Sequence, residues 1–165
     1  MKVKRAIAME FLGSAILAVA IVGSGFMAAN TSTDNGIRLF INALATALGL
    51  AVVIRIGLKV SGSHFNPAVS LVMLILKKIT PKLFALYLMV QTIGAIFGTL
   101  LANLIFDQKL IVQSQIYRDG SNLLISETFA TLVLLWIILR FPKRGDLIAI
   151  YAPLWIFGEI GRAHV

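Results

Sequence analysis

The stretch "SGSHFNPAVS", Ser61–Ser70, separates two long apolar runs and carries a histidine, an asparagine and a proline in a chain with few other polar clusters. Asn66 is a favourable N-cap, and Pro67 suits the first helical position, where its missing N–H is not needed. The apolar segment 66–76 has 11 residues before a pair of lysines. As a helix it rises about 16 Å, roughly half the hydrocarbon core of a bilayer. The sequence therefore predicts a half-helix here and not a complete span.

The rest of the chain has the composition of a membrane protein. Of its 165 residues, 59% are hydrophobic and 13% are charged, and the apolar residues form blocks that are long enough to cross a bilayer as helices. Complete spans are predicted at about 6–29, 37–58, 82–106 and 122–140, with the start of a fifth at 146–158. Cysteine is absent, which excludes disulfides and thiolate metal sites, and no cofactor is predicted.

The residues before Asn66 lack helical periodicity, so their backbone is predicted to be irregular. Irregular backbone at membrane depth is tolerated only when it is buried in protein or lines a water-filled cavity. A re-entrant loop satisfies this condition, and its half-helix points N–H groups at the bilayer centre, which disfavours cations and leaves donors for neutral polar solutes. The predicted acceptors along the approach are the carbonyls of Gly62, Ser63 and His64, and the Asn66 amide is the predicted donor. The alternative is an ordinary helix cap between two core helices.

The net charge of +8 is explained by orientation in a membrane, and no nucleic-acid partner is predicted. With a cytoplasmic N-terminus and a half-helix that does not cross, 11 basic residues lie inside and three outside. The inside set is Lys2, Lys4, Arg5, Arg55, Lys59, Lys77, Lys78, Lys82, Arg140, Lys143 and Arg144; the outside set is Arg38, Lys109 and Arg118. The positive-inside rule favours this orientation, in a cell inner (plasma) membrane.

The motif "SGSHFNPAVS" resembles the first Asn-Pro-Ala loop of the aquaporin and aquaglyceroporin family, the major intrinsic proteins. It is accompanied by "MEFLGSA" (9–15), "QTIGAIFGTLLA" (91–102) and "SETFATLVL" (126–134). The resemblance implies a right-handed, all-helical bundle of inverted repeats, each with a re-entrant half-helix. It also implies passive conduction of water or small neutral solutes, usually by a homotetramer, with Asn66, Pro67 and Ala68 lining the pore.

Two acids lie within apolar spans, Glu10 in the first and Glu127 in the fourth. An acid in a membrane helix is a functional candidate, but no nucleophile, metal-ligand cluster or phosphate loop accompanies this pair, so no enzyme is predicted. The resemblance implies that each glutamate hydrogen-bonds the non-helical backbone of a re-entrant loop. His64 is interpreted as a pore-lining group, with a satisfied buried histidine as the alternative.

Thr46 lies 20 residues before Asn66 and matches the second-span position of the family's outer selectivity filter. Strict water channels of the family tend to place an aromatic residue there. A threonine there implies a wider constriction that admits solutes larger than water. Together with "VGSGFMAAN" (22–30), it is similar to the bacterial branch of the family that is linked to glycerol-like or metalloid (arsenite) solutes. The alternative for Thr46 is a helix-packing role.

Gly94 and Gly98 are interpreted as small residues at a helix–helix contact, and Gly13 as a point of close approach.

"EFLGS" at Glu10 and "ETFAT" at Glu127 indicate an internal repeat with an offset of 117 residues, which places a second Asn-Pro-Ala loop near residue 183. The first repeat is therefore expected to be complete and the second truncated. The segment 159–165 ends in "IGRAHV", which matches a translated sequencing adaptor and is expected to be a non-native tail.

Two other functions stay open: an ion-coupled secondary transporter with broken helices, and a non-conducting membrane scaffold.

Overall fold

The computed structural model describes residues 2–111, 121–141 and 144–160, and all the regular structure in these ranges is helical. The helices are α1 Lys2–Thr31, α2 Asn35–Gly57, α3 Pro67–Ile75, α4 Pro81–Ile105, α5 Ser121–Arg140 and α6 Gly145–Ile160. Four of them, α1, α2, α4 and α5, are long and apolar enough to cross a membrane. The predicted class of an all-α membrane protein is confirmed.

Local capping explains where the helices near the loop begin. Asn66 caps α3 and Pro67 is its first residue, so the helix has nine residues and rises about 13 Å. It is one residue shorter at each end than the predicted 66–76. The hydroxyl of Thr80 accepts from the backbone N–H of Leu83 at 3.2 Å and so caps α4, whose first residue is Pro81. Both helices therefore begin with a polar cap followed by proline.

Helix α1 packs mainly against α4 and α2. Its contact with α4 depends on two glycines, because a Cβ at Gly94 would collide with the carbonyl of Phe11 and a Cβ at Gly98 with that of Ala15. The glycines let the two backbones approach closely, which is the role that the sequence predicted for them. On the other side of α1, the Asn42 side-chain amide donates to the Ile21 carbonyl at 2.7 Å.

Helix α6 packs against α2 and α5. The buried residues at this contact are Ile54, Ile137, Ile148, Ala149 and Ala152. The indole N–H of Trp155 donates to the Ala130 carbonyl at 3.0 Å, which ties α6 to α5. Helix α6 has 16 residues, contains Pro153 and covers the segment expected to start a fifth span.

Some sequence predictions concern residues beyond the described ranges. The predicted connection 107–122 is described only up to 111 and from 121, and Arg118 and Lys143 lie outside the described residues. Residues 161–165 of the expected non-native tail lie outside them as well. The other basic residues assigned to the cytoplasmic side are all exposed, and the orientation itself stays a prediction.

Candidate functional site

The start of α3 presents an asparagine amide beside the loop 58–66. The Asn66 side-chain oxygen accepts from the backbone N–H of Ala68 at 2.7 Å and from that of Val69 at 3.4 Å. Because the oxygen is used in this cap, the side-chain NH₂ is left as the free part of the amide, and within the described residues it donates to no protein acceptor. Asn66 is half-buried, Pro67 is exposed and Ala68 is half-buried.

The loop before Asn66 has an unusual backbone. Gly62 has a φ of +93°, Ser63 of +53° and Phe65 of +45°, all in the left-handed region. Glycine adopts this region readily, whereas a non-glycine residue there is held by its surroundings at a cost of about 1–3 kcal/mol. The loop therefore needs tertiary contacts that fix Ser63 and Phe65.

Glu10 of α1 supplies the main contact. It is fully buried, and its Oε1 accepts from the His64 backbone N–H at 3.0 Å while its Oε2 accepts from the Phe65 N–H at 2.7 Å. Gln91 of α4 donates its side-chain amide to the same Oε2 at 2.8 Å. The hydrogen bonds that the family resemblance implies for Glu10 are thus present. A buried carboxylate that accepts three N–H groups is a rigid support for the loop.

The N–H groups of His64 and Phe65 point toward Glu10, and the carbonyl groups of the loop have no such partner. Within the described residues, the carbonyl oxygens of 62–65 accept no protein hydrogen bond. Buried backbone carbonyls are otherwise almost always paired, with protein or with water. The Ser63 hydroxyl also donates to the Ile54 carbonyl at 3.0 Å, which ties the loop to the end of α2. The loop is therefore a row of unpaired acceptors on a fixed backbone.

Phe65 anchors the loop through its side chain. A Cβ added at Gly13 would lie 2.6 Å from the Phe65 Cζ, and one added at Gly57 would lie 2.7 Å from the same atom. The ring thus occupies a space between α1 and α2 that exists only because both positions are glycine. The close approach predicted at Gly13 is confirmed, and its partner is this ring.

His64 is half-buried, and its ring is held on two sides. Its Nδ1 lies 3.0 Å from the Ser70 hydroxyl, which is buried in α3 and also accepts from the Gln91 amide at 3.1 Å. The Tyr87 ring contacts the imidazole edge-on at a centroid distance of 5.3 Å. The Tyr87 hydroxyl donates to the Ser61 carbonyl at 2.8 Å. The pore-lining role of His64 stays a prediction.

The remaining predicted site residues, Glu127 and Thr46, lie outside this cluster. Glu127 is exposed on α5, and its carboxylate forms no hydrogen bond with the other described residues. Thr46 of α2 is 5% exposed, and its hydroxyl oxygen has no hydrogen-bond partner among the described residues. The loop-supporting role of Glu127 and the filter role of Thr46 both stay predictions.

Four residues of the site were not singled out from the sequence: Phe65, Ser70, Tyr87 and Gln91. Two signals were available. Gln91 is an amide within an apolar span, and such residues usually face the protein interior. Ser70 lies four residues after Asn66, so both lie on one face of α3.

A bundle of long apolar helices with one half-length helix behind an anchored irregular loop defines a membrane protein with a re-entrant segment. The sequence model of the Major intrinsic protein family matches residues 1–165, and the chain belongs to this family.

Known relatives are consistent with this assignment. The chain is 40% identical over 139 residues to the aquaglyceroporin AqpS of Rhizobium meliloti, covering 82% of this chain and 60% of the relative. It is 29% identical over 103 residues to the glycerol uptake facilitator protein of Buchnera aphidicola, covering 62% of this chain and 38% of the relative.

Among solved structures, the X-ray structure of the aquaglyceroporin from Plasmodium falciparum is similar with a TM-score of 0.74. The match covers 98% of this chain and 69% of the other, and at 22% identity it shows the fold. The predicted aquaporin-like fold is confirmed. The chain spans 60% of the length of AqpS and 38% of that of the glycerol facilitator.

Proposed function

We propose that the protein to which this chain belongs is a passive channel for water and small neutral solutes of the glycerol type, with metalloid acids such as arsenite as further candidates. The observation that carries this proposal is the row of unpaired carbonyls at 62–65, next to the free NH₂ of Asn66. We also propose that it works in the inner membrane with its N-terminus in the cytoplasm, as a homotetramer.

The chemistry of the loop suits neutral solutes that both donate and accept hydrogen bonds. The carbonyls accept from a hydroxyl group, and the Asn66 amide donates to its oxygen. The N-terminus of α3 adds the positive end of a helix dipole beside Asn66, which disfavours a cation without repelling an uncharged molecule. A solute that crosses by exchanging hydrogen bonds needs neither covalent chemistry nor a cofactor.

The acid in this site argues against ion coupling. A coupled transporter binds its ion or proton at an ionisable group near the middle of the membrane. Both oxygens of Glu10 already accept from the protein, two bonds to the loop backbone and one to Gln91. Glu10 therefore serves as a fixed anchor, and passive conduction is favoured over transport that is driven by an ion gradient.

The names of the relatives support the same solute class. AqpS is an aquaglyceroporin, and the Buchnera relative is a glycerol uptake facilitator. Thr46 has a small side chain at the position that the family resemblance implies for the filter, which fits a passage wide enough for glycerol.

Swelling of proteoliposomes tests the proposed function. The complete protein encoded by the gene is reconstituted, and the vesicles are transferred into a glycerol gradient. We expect faster swelling than in empty vesicles, a rate proportional to glycerol concentration, and no effect of collapsing the proton or sodium gradient. Sucrose is the control solute, since it is too large to enter. Uptake that saturates at low concentration and stops when the proton gradient collapses would support the transporter instead.

A substitution at Thr46 tests the proposed filter. Thr46→Phe in the complete protein is expected to slow glycerol more than water, because an aromatic ring narrows the passage while a single file of water survives. A fall of about tenfold in the ratio of glycerol to water permeability corresponds to a barrier higher by about 1.4 kcal/mol. Thr92→Phe on α4 is the matched control, since Thr92 is exposed and bonds only within its own helix, to the Leu88 carbonyl. Equal ratios in the two variants would show that Thr46 is a packing residue.

A further inference from the structure

A chain of hydrogen bonds runs from Glu10 to the imidazole of His64. The Gln91 side-chain amide donates to Glu10 Oε2 at 2.8 Å and to the Ser70 hydroxyl at 3.1 Å, and that hydroxyl lies 3.0 Å from His64 Nδ1. Gln91 and Ser70 are 3% and 0% exposed. Solvent is therefore excluded from these links, and each proton must be placed on a protein acceptor.

The direction of each bond follows from the carboxylate. Glu10 accepts from the backbone N–H groups of His64 and Phe65, so the Gln91 atom that faces it is the NH₂. This orientation leaves the Gln91 carbonyl oxygen buried without a partner, as observed. The second proton of the same NH₂ then points to Ser70, whose oxygen accepts it.

The Ser70 hydroxyl has one proton of its own to donate. Its side-chain contacts among the described residues are the Gln91 NH₂, which has no lone pair to offer, and His64 Nδ1. Donation to Nδ1 satisfies the proton, whereas a protonated Nδ1 would leave a buried hydroxyl proton without an acceptor, which is unfavourable. In a neutral imidazole with a bare Nδ1, the proton is on Nε2.

We propose that Ser70 and Gln91 are positioning residues that hold His64 as its Nε2–H tautomer. Within the described residues Nε2 has no protein partner, and it lies on the side of Gly62, where an added Cβ would be 3.3 Å away. Nε2 therefore lies beside a residue that is exposed. The edge-on Tyr87 ring keeps the imidazole in this orientation.

The consequence for conduction rests on the proposed function. The carbonyls of 62–65 only accept, so a solute hydroxyl can donate to them but finds no donor for its own oxygen in the loop backbone. An Nε2–H group at Gly62 supplies that donor before the solute reaches the Asn66 amide. The opposite tautomer would add one more acceptor at this point and would bind the solute oxygen poorly.

Nitrogen NMR of the full 165-residue chain in bilayers tests the proposal directly. The chain is labelled with ¹⁵N-histidine and carries His164→Asn, so that His64 is the sole imidazole. At neutral pH we expect Nδ1 to resonate as a bare nitrogen and Nε2 as a protonated one. The expected excess of the Nε2–H form is about tenfold, the ratio sustained by avoiding one unsatisfied buried donor.

Three variants separate the positioning role from folding. Ser70→Ala is expected to reduce the excess several-fold, because Nδ1 loses its donor, while Ser70→Thr keeps the hydroxyl and should restore it. Thr92→Ala removes a hydroxyl from the exposed face of α4 and should leave the ratio unchanged. Helical circular dichroism checks that each variant folds.

A wild-type spectrum with Nδ1 protonated, with both nitrogens protonated, or with the tautomers in comparable amounts overturns the proposal. So does an unchanged ratio in a folded Ser70→Ala variant. None of these measurements involves solute flux, so a failure here is distinct from a failure of glycerol to cross.

Discussion

Replacing Glu10 with alanine is expected to lower the free energy of unfolding of the chain by about 3–9 kcal/mol, since it leaves three donors at a buried site without an acceptor, each costing about 1–3 kcal/mol. Two of these donors are the backbone N–H groups of His64 and Phe65, and the third is the Gln91 amide. The other supports of the loop, the bond from the Ser63 hydroxyl to the Ile54 carbonyl and the packing of the Phe65 ring at Gly13, supply no acceptor for these donors. Denaturant unfolding in mixed micelles, followed by circular dichroism, measures the change.

Two variants serve as controls for the charge and for the carboxylate geometry. Glu127→Ala removes an acid from the exposed face of α5, where its carboxylate bonds to no other described residue, and should change the stability of this chain by less than about 0.5 kcal/mol. Glu10→Gln keeps one acceptor oxygen but points an NH₂ at the remaining donors, so its effect should be intermediate. If Glu10→Ala and Glu127→Ala unfolded at the same denaturant concentration, Glu10 would not be the anchor of the loop.

The same change should affect conduction by the complete protein. Once the N–H groups of His64 and Phe65 are free, they compete for the carbonyls that the loop now leaves unpaired. We expect Glu10→Ala to abolish glycerol-driven swelling, and Glu10→Gln to reduce it without changing which solutes pass. A variant that folds and conducts like the wild type would contradict the link between this anchor and the pore.

The half-helix was predictable because its causes are local. The Asn66 cap, Pro67 at the first helical position and the following lysines are all contained in about a dozen residues, and capping rules operate within a single turn. Helix α3 therefore begins where the sequence indicates. The spans were predictable for a similar reason, since the length of an apolar run is a property of contiguous residues.

The hydrogen-bond network around the loop was not predictable in the same way. Gln91 lies 81 residues from Glu10, and the sequence around Gln91 does not indicate which polar group its side chain will contact. The resemblance to the family supplied the contact of Glu10 with the loop, but not the two links through Gln91 and Ser70. Such contacts are set by the packing of α1 against α4, which only the folded structure provides.

Phe65 is a second case in which tertiary structure overrides local preference. A large aromatic residue at φ +45° is disfavoured by local sterics, so the sequence offers no reason to expect it. Gly13 did signal close approach, yet it did not identify the ring that fills the space. The conformation of Phe65 is fixed by the space between two helices.

Gly13→Leu is accordingly expected to be the second most damaging substitution, lowering the free energy of unfolding by about 3 kcal/mol, at the upper end of the usual range for overpacking. The first added carbon would already lie 2.6 Å from the Phe65 Cζ. The ring has no room to move toward Gly57, because it already fills the space beside that glycine, where a Cβ would lie 2.7 Å from the same atom. The ring must leave, and the loop backbone must leave with it. Gly158→Leu on α6 is the matched control, because a Cβ there meets nothing within 4 Å.

A double-mutant cycle that combines Gly13→Leu with Phe65→Ala isolates the contact. Removing the ring opens the space that the introduced leucine side chain needs, so the double variant should be more stable than the sum of the single changes indicates, by about 1–3 kcal/mol, as for residues in direct contact. Additive effects, within about 0.5 kcal/mol, would show that the ring does not occupy the space at Gly13. The cycle also separates two roles of Phe65. One outcome of interest is a double variant that regains stability while the complete protein that carries it fails to conduct glycerol. In that outcome the packing of the helices has been restored without the ring, so the ring is needed to aim the carbonyls of 62–65.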